Sequence, residues 1–570
     1  MRYLGRFQQA LDAGETIMKK ISRAAILVAV LGTIGLVTLY VNRDRHAKDT
    51  VPLSDKPETY VRVHQPAMLT YDELVSLGTT DKVIGTLGEK LQAITTTPFL
   101  SNEAYYRGAK PHRPVLNQLG GSLRLVAWNI ERGLELDGIK LLFSNTEEFL
   151  RQAGHKEENV DIAQMRQDIE VLKTADVVVL NEVDWGLKRS GYRSVVQELG
   201  MTLNMNWAYG VEFIEVDPIS LGSEKLEEWE NEADRQRLLA EIRVDKTKLR
   251  ALHGTVVLSR YPILEARLQP FQTEAYDWYA GEKKALDSLE KGKRIGVKAA
   301  FLEKVSRQVR RGGRTSLIVT LDVPDLKEKR LTVAATHLES NATPENRRKE
   351  MEELLLLLRD IHNPVIIAGD LNTTGSDSSP TSIKKQIYHR LGSAEFWTNT
   401  GIKYATGVGL LYDAVRGGLN TMKNQDDPTA RNILLVGSNP EAELFGKLED
   451  FRFADGFAFD FRGNEDRTTN RTQGTLANSN QRDMKGFATT YEFERALGVV
   501  GKLKLDWILV KAYLKDPRDD DQPYRFAPHF ARTLGSVNYA LDVRLSDHNP
   551  ISVDLPFAEP DRPVDLRGEK

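Results

Sequence analysis

The chain has 570 residues, 41% of them hydrophobic and 28% charged, with a formal net charge of −3 and no cysteine. That length accommodates one large domain plus appendages, and the near-neutral charge speaks against a strongly basic nucleic-acid surface. The missing cysteines exclude disulfides, thiolate metal sites and a lipid-modified cysteine, and fit a reducing or an oxidising compartment equally.

The first predicted element is a membrane span. Ala24 to Val41 is eighteen residues without a charge, just long enough to cross a bilayer. A cleaved signal peptide is the competing reading, but the run is long and no small-x-small cleavage site follows it. We expect an uncleaved signal anchor. Arg2, Arg6, Lys19, Lys20 and Arg23 make the leading side the more basic, so residues 1–23 are expected in the cytoplasm and the large domain outside it.

Residues 42–65 are polar and read as a tether, and a small helical region completes a segment reaching to 118. Thr70 and Glu73 have the spacing of a capping box, and Asp81 to Ile94 has helix-like apolar spacing. Pro98, Pro111 and Pro114 then break the chain.

From Leu123 the texture changes. Short apolar runs recur, and most end on a polar residue: LRLVAW on Asn129 and Glu131, DVVVL on Asn181 and Glu182, RLTVAAT on His337, PVIIAG on Asp370 and Asn372. GTVVLSRYPI follows His253, KLDWILV contains Asp506, and Asp547–His548 open a last strand. Helical patterns cover Val160 to Lys173 and Pro344 to His362, the second with Thr343 as cap and Pro344 at the first helical position. Strands mixed with helices predict an α/β or α+β domain over 119–558, followed by a tail at 559–570. Two stretches break the rhythm and read as insertions, 212–250 and 396–496. The second is the place to look for specificity, because loops at strand ends set substrate choice.

Strand-end Asp and Asn residues are often only turn formers. Taken together, Asn129, Glu182, Asp370, Asn372, Asp547 and His548 are hard-cation, hydrogen-bonding or proton-transfer groups, and suit Mg²⁺, Mn²⁺ or Ca²⁺ rather than structural zinc. With histidines added, phosphoester hydrolysis is the natural chemistry: a cation polarises the phosphoryl group, a carboxylate orients water, and imidazolium groups offset charge.

WNIERG, LNEVD, HGTVVLSRYPI, ATHLE, AGDLN, LDWI and SDHNPI occur in the order seen in the endonuclease/exonuclease/phosphatase superfamily, which the chain resembles from Leu123 to Leu555. The resemblance, shared with apurinic endonucleases and neutral sphingomyelinases, implies a four-layer α+β sandwich of two mixed sheets with the site at one edge. It implies that Asn129, Glu182 and Asp547 lie by a Mg²⁺ ion, Glu182 as principal ligand, with Glu131 a further acidic neighbour. His337 would contact phosphate, Asp370 would orient or deprotonate the water, and Asn372 would hold the phosphate or that water. Asp506 would fix the tautomer of His548, which presents its other nitrogen to the phosphate or the water. Tyr209 is aligned with a tyrosine that some relatives place near the phosphate.

The sequence departs from the family where Thr255 replaces a common Asn, with His253 two residues earlier. Lys188, Arg189 and Arg193, after Asp184, could bind a second anionic group or form a solvated loop. Three substrate classes compete: lipid head groups, which suit a tethered phosphodiesterase, nucleic acid, and small phosphate esters. An inactive binding module of the same fold is the remaining alternative. The expectation is a membrane-anchored Mg²⁺-dependent phosphoesterase, more a diesterase than a monoesterase, with no obligate protein partner.

Overall fold

The computed structural model describes residues 60–558, apart from internal segments of which the longest are 284–307, 374–427 and 463–489, with shorter ones at 117–118, 155–160, 226–231, 233–235 and 434–436 and a few gaps of one or two residues. The expected cytoplasmic tail, the span at 24–41, most of the tether and the tail at 559–570 lie outside the described residues, as does much of the second insertion. Among the described residues no helix is long and apolar enough to cross a membrane.

Among the described residues, nineteen strands follow in chain order. The first eight are β1 (Val63–His64), β2 (Phe99–Ser101), β3 (Val115–Leu116), β4 (Gly120–Arg132), β5 (Val177–Trp185), β6 (Asn206–Glu215), β7 (Leu252–Ser259) and β8 (Ile263–Pro270). β9 (Arg310–Gly312), β10 (Thr315–Asp322), β11 (Arg330–His337) and β12 (Val365–Asp370) come next. β13 (Asn432–Ile433) pairs with β14 (Gly437–Ser438), and β15 (Tyr491–Leu497) with β16 (Val500–Leu503). β17 (Asp506–Lys511), β18 (His529–Thr533) and β19 (Ile551–Pro556) close the series.

Two large sheets result. The first runs β1-β2-β6-β7-β5-β4-β19-β18, with β3 on β4 and β9 on β6; the second runs β17-β12-β11-β10-β8. Both are mixed: β4 and β5 are parallel in the first, β11 and β12 in the second, and the other pairings are antiparallel. This is the expected two-sheet α+β architecture.

The layering follows from side-chain alternation along a strand. Leu125 and Ala127 join Val177, Val179, Ile366, Ala368, Ile508 and Val510 in one buried cluster between the sheets. The intervening Val126 and Trp128 point the other way, against the helical layer containing Met165, Ile169 and Leu172. Val365 and Ile367 likewise turn outward to Met351, Leu354 and Leu358 of the helix Pro344–Leu358. Every face is apolar because each central strand is covered on both sides.

The predicted local signals have the expected partners. The Thr70 side chain accepts from Glu73 N and the Glu73 side chain accepts from Thr70 N, a complete capping box on the helix Tyr71–Thr79. The Thr343 side chain accepts from Asn346 N, with Pro344 in the first turn.

Three boundaries differ from expectation. The region before 119 is not only a linker with helices, because β1 and β2 extend the first sheet. Glu212 to Glu215 belong to β6, so the first insertion starts later than 212. Phe445, Phe453, Phe459 and Phe461, inside the second insertion, are buried against Trp507 and Leu509. That part is an outer wall of the second sheet, not a solvated elaboration.

Shortening a side chain between the sheets should leave a cavity that two facing sheets cannot close. Ile366→Ala is expected to cost about 2–5 kcal/mol, seen as a lower urea midpoint with an unchanged m-value.

Candidate active site

The site begins as a row across the second sheet. In register, His337 of β11 pairs with Asp370 of β12, and Asp370 pairs with Asp506 of β17. Three ionisable residues therefore end three neighbouring strands. His548, just before β19 of the first sheet, closes the row: its Nδ1 lies 2.7 Å from Asp506 Oδ2. Its backbone is held by Trp128, whose Nε1 donates to His548 O at 2.9 Å, and by Ser546 Oγ, which accepts from His548 N and donates to Asn129 O.

Asp370 Oδ2 is where the row converges. It accepts from Asn129 Nδ2 at 3.1 Å, and the Nε2 atoms of His337 and His548 each face it at 3.6 Å. Those two gaps exceed a direct hydrogen bond and suit a bridging oxygen. Asp370 Oδ1 accepts from Asn372 N at 2.8 Å. The Asn372 amide nitrogen donates to Leu338 O at 2.9 Å, so this residue braces Asp370 and the strand end.

Asn181 was not foreseen. Its Oδ1 accepts from Asp370 N at 2.9 Å while its Nδ2 donates to Thr336 O and Thr255 Oγ1. A first-sheet side chain thus fixes two second-sheet strands. The close approach requires Gly369: a Cβ there would meet Thr336 O at 2.0 Å and Asn181 Oδ1 at 2.8 Å, and φ is +140°.

Glu182 sits beside this floor at a β-bulge. The registers of β4 with β5 and of β5 with β7 both shift here, and Glu182 has φ +54°. A bulge re-aims a side chain, and left-handed non-glycine residues gather at functional sites. Glu131 (φ +45°), Arg132 (φ +66°) and Asn372 (φ +52°) share that conformation. Asn129 Nδ2 lies 3.4 Å from Glu182 Oε1, and Glu131 Oε2 accepts from Asp547 N at 3.0 Å. Asn129, His337, Asp370, Asn372, Asp506 and His548 are buried, whereas Glu131, Glu182 and Asp547 form a half-buried rim.

The two histidines have opposite backing. Behind His548 stands a carboxylate. Burial works against its charge, but Asp506 and Asp370 outweigh it and raise its pKa to about 10. Behind His337 stands a guanidinium: Arg314 Nη1 lies 2.7 Å from Nδ1. Burial first, then Arg314, push His337 well below the usual imidazole range. The expectation of two imidazolium groups is therefore corrected to one. Burial raises the Asp370 pKa to about 7, with His548 opposing and Asp506 assisting.

Three other expectations change. Tyr209 is fully buried between Phe99 and Trp185, and its hydroxyl donates to Val183 O at 3.1 Å, so it is a core tyrosine and not a phosphate neighbour. The cations after Glu182 do not form a free anion site. Arg189 grips Asp184 and Glu215, Arg193 grips Glu198 and Asp137, and Lys188 donates to Ala240 O and Arg243 O. His253 is buried with its Nδ1 2.8 Å from Asp184 Oδ1. Burial opposes the Asp184 charge, but Arg189 and His253 prevail and draw its pKa down to about 2. Thr255, the departure from the family pattern, donates to Glu212 Oε1 and accepts from Asn181, which gives it a structural role.

Two sets of groups could take a cation. The ligand atoms of Asp370, Asp506 and His548 lie within 4.8 Å of one another, and Asp506 Oδ1 is buried without a hydrogen-bond partner. Glu182, on the half-buried rim, and the buried Asn129 beside it form the second set. All but the histidine are oxygen or amide groups, a set suited to a hard divalent ion.

Glu350 lies under the floor, accepting from Glu339 N at 3.0 Å. Burial raises its pKa to about 8, against that backbone hydrogen bond and with the Glu339 charge assisting. A carboxyl raised on folding favours the native state below its unfolded value of about 4.3 and loses that contribution as pH climbs towards 8. Glu350→Gln should therefore raise the melting temperature at pH 8 and leave it nearly unchanged at pH 5, a difference that thermal unfolding at the two pH values measures.

The family profile described as Endonuclease/Exonuclease/phosphatase family matches residues 126–548. Similar solved structures include an endonuclease/exonuclease/phosphatase from Beutenbergia cavernae, 16% identical with TM-score 0.33, covering 76% of this chain and 71% of that one. The human Nocturnin catalytic domain is 13% identical with TM-score 0.32, covering 76% and 92%. The 3′ phosphatase NExo from Neisseria bound to a product DNA hairpin is 11% identical with TM-score 0.33, covering 76% and 99%. No curated protein matches the sequence. The profile match takes in every strand-end residue from Asn129 to His548, and the chain belongs to the endonuclease/exonuclease/phosphatase family.

Proposed function

We propose that the chain is a divalent-metal-dependent phosphodiesterase whose reacting phosphate sits over Asp370, between His337 and His548. The observation that carries this reading is the convergence on Asp370 Oδ2 of Asn129 and of both histidine Nε2 atoms.

The roles divide by protonation. Asp370, raised to about 7, can exist as a carboxylate at neutral pH and take the proton of an attacking water. His548, raised to about 10, remains an imidazolium and can donate from Nε2 to a phosphate oxygen or the leaving group. This separation favours Asp370 over His548 as general base. Asp506 holds His548 Nδ1 and so orients that donor. His337 adds a second Nε2 on the other side of the phosphate. Glu182 and Asn129, with Glu131 and Asp547 beside them, would hold Mg²⁺, with Mn²⁺ or Ca²⁺ as substitutes. When bound, the ion would neutralise phosphate charge and stabilise the leaving oxygen. We place it here because His548 already occupies Asp506 and faces Asp370 in the other set.

The substrate class extends the proposal. A hydrophobic stretch at 24–41 would tether the domain to a membrane, probing outside the cytoplasm, and tethering raises the effective concentration of a lipid head-group diester. Nucleic acid and small phosphate esters are the other classes to test. The catalytically inactive reading is disfavoured because Glu182, Asp370, Asp506 and His548 are all present and assembled.

Purified full-length protein assayed on sphingomyelin, plasmid DNA and an abasic-site duplex in Mg²⁺ tests this. Turnover of at least one is expected, abolished by chelator and lowered by roughly 100-fold or more in His548→Ala and Glu182→Ala. Inertness on all three with wild type and variants indistinguishable would overturn the phosphodiesterase reading. The pH profile of kcat/KM should rise through about 7 as Asp370 ionises and fall towards about 10 as His548 loses its proton. A profile that rises with a single group near 10 would instead make His548 the base.

A further inference from the structure

Arg314 precedes β10, at the end of the basic run RRGGR, and reads in sequence as one more solvated charge. The structure buries it. Gly313 N donates to Glu212 O at 2.9 Å, and a Cβ at Gly312 (φ +111°) would meet the same oxygen at 2.1 Å, so the glycine pair lays the chain directly on β6. This delivers the guanidinium beneath the active-site floor.

There Arg314 has three partners. Nη1 donates to Glu212 Oε2 at 2.7 Å, Nε donates to Glu339 Oε2 at 3.2 Å, and Nη1 also lies 2.7 Å from His337 Nδ1. Glu339 is fixed in turn by Trp278 Nε1 and Asn341 N. Glu212 Oε2 itself is 3.8 Å from His337 Nδ1. The guanidinium is thus interposed between a carboxylate and an imidazole.

That interposition decides the histidine. A guanidinium has five N–H donors and no acceptor. A hydrogen bond from Arg314 therefore requires a lone pair on His337 Nδ1, and the single ring proton must sit on Nε2, the atom facing Asp370. With a carboxylate in direct contact the opposite tautomer, or the imidazolium, would form, as the Asp506 pairing provides for His548.

We propose that Arg314 is a positioning residue that locks His337 in the neutral Nε2–H tautomer, so that His337 meets the substrate phosphate as a fixed, uncharged hydrogen-bond donor. The proposal deepens the phosphodiesterase reading and rests on it for the identity of the group that His337 meets. A purely structural Arg314, neutralising Glu212 and Glu339, predicts no particular tautomer.

The test is imidazole nitrogen NMR on the full chain labelled at histidine, with the His337 signals assigned by their loss in His337→Gln. Wild type is expected to show His337 with an unprotonated Nδ1 and a protonated Nε2. In Arg314→Met, Glu212 becomes the nearest partner, and a proton is expected on Nδ1. Arg314→Lys, whose ammonium also only donates, is expected to retain the wild-type tautomer. In the assay, Arg314→Met should lower kcat by roughly 10–100-fold with KM little changed. A wild-type Nδ1 that carries a proton overturns the proposal, as does an Arg314→Met protein that folds and keeps the wild-type tautomer. If neither variant folds, the wild-type tautomer alone decides. Absence of phosphoester turnover by wild type, with the tautomers as expected, would count against the functional reading and leave the role of Arg314 standing.

Discussion

One carboxamide joins the two sheets at the point where chemistry is proposed. Asn181 leaves the first sheet, accepts from Asp370 N and donates to Thr336 O, both in the second. Over most of their area the sheets meet through apolar side chains such as Val179 and Ala368, which are tolerant of small sliding motions. Directional hydrogen bonds are not. The position of Asp370 relative to Asn129 and Glu182, on the opposite sheet, therefore depends on this link together with the hydrogen bond from Asn129, and the Asn181 link depends on the absence of a side chain at Gly369.

The second constraint is electrostatic. A floor made of buried Asp, Glu, Arg and His is expensive unless each charge has a partner. The described residues meet that demand with linked sets: Asp506 with His548, Glu212 and Glu339 with Arg314, and Asp184 and Glu215 with Arg189 and Arg310. These pairings do more than offset desolvation. The choice of a carboxylate behind one histidine and a guanidinium behind the other gives two identical side chains different protonation, which a catalytic centre can use to separate a proton donor from a fixed contact. Strained backbone at Glu131, Glu182 and Asn372 belongs to the same design, since the surrounding sheets hold conformations that a free chain would leave.

The strands that carry the site were legible. Apolar runs ending on Asn129, Glu182, His337 and Asp370 became β4, β5, β11 and β12, because alternation and burial act over a few residues. β6 was less legible: Glu212 lies within it as a buried charge, and a charge in a strand reads as the start of a loop. Phe445 and Phe459 were assigned to an elaboration because their neighbours are polar and Gly-rich, although they cover Trp507. The site residues missed from sequence, Asn181, Glu212, Arg314 and Glu339, share one property. Each acts on a residue from another strand, and none ends an apolar run that would have drawn attention, apart from Asn181, which Glu182 overshadowed.

The sequence by itself determined the family, the order of the strands, the caps of two helices and the cast of strand-end acids, amides and histidines, all of which are local patterns along the chain. The tertiary structure decided which of them meet. Tyr209 went to the core, Arg189 to Asp184, and Arg314 to His337, because partner choice among buried charges is set by strand register and sheet-to-sheet packing between residues far apart in sequence. Protonation followed from those partners, since the energy of a buried charge depends on what lies within a few ångströms of it and not on its neighbours along the chain.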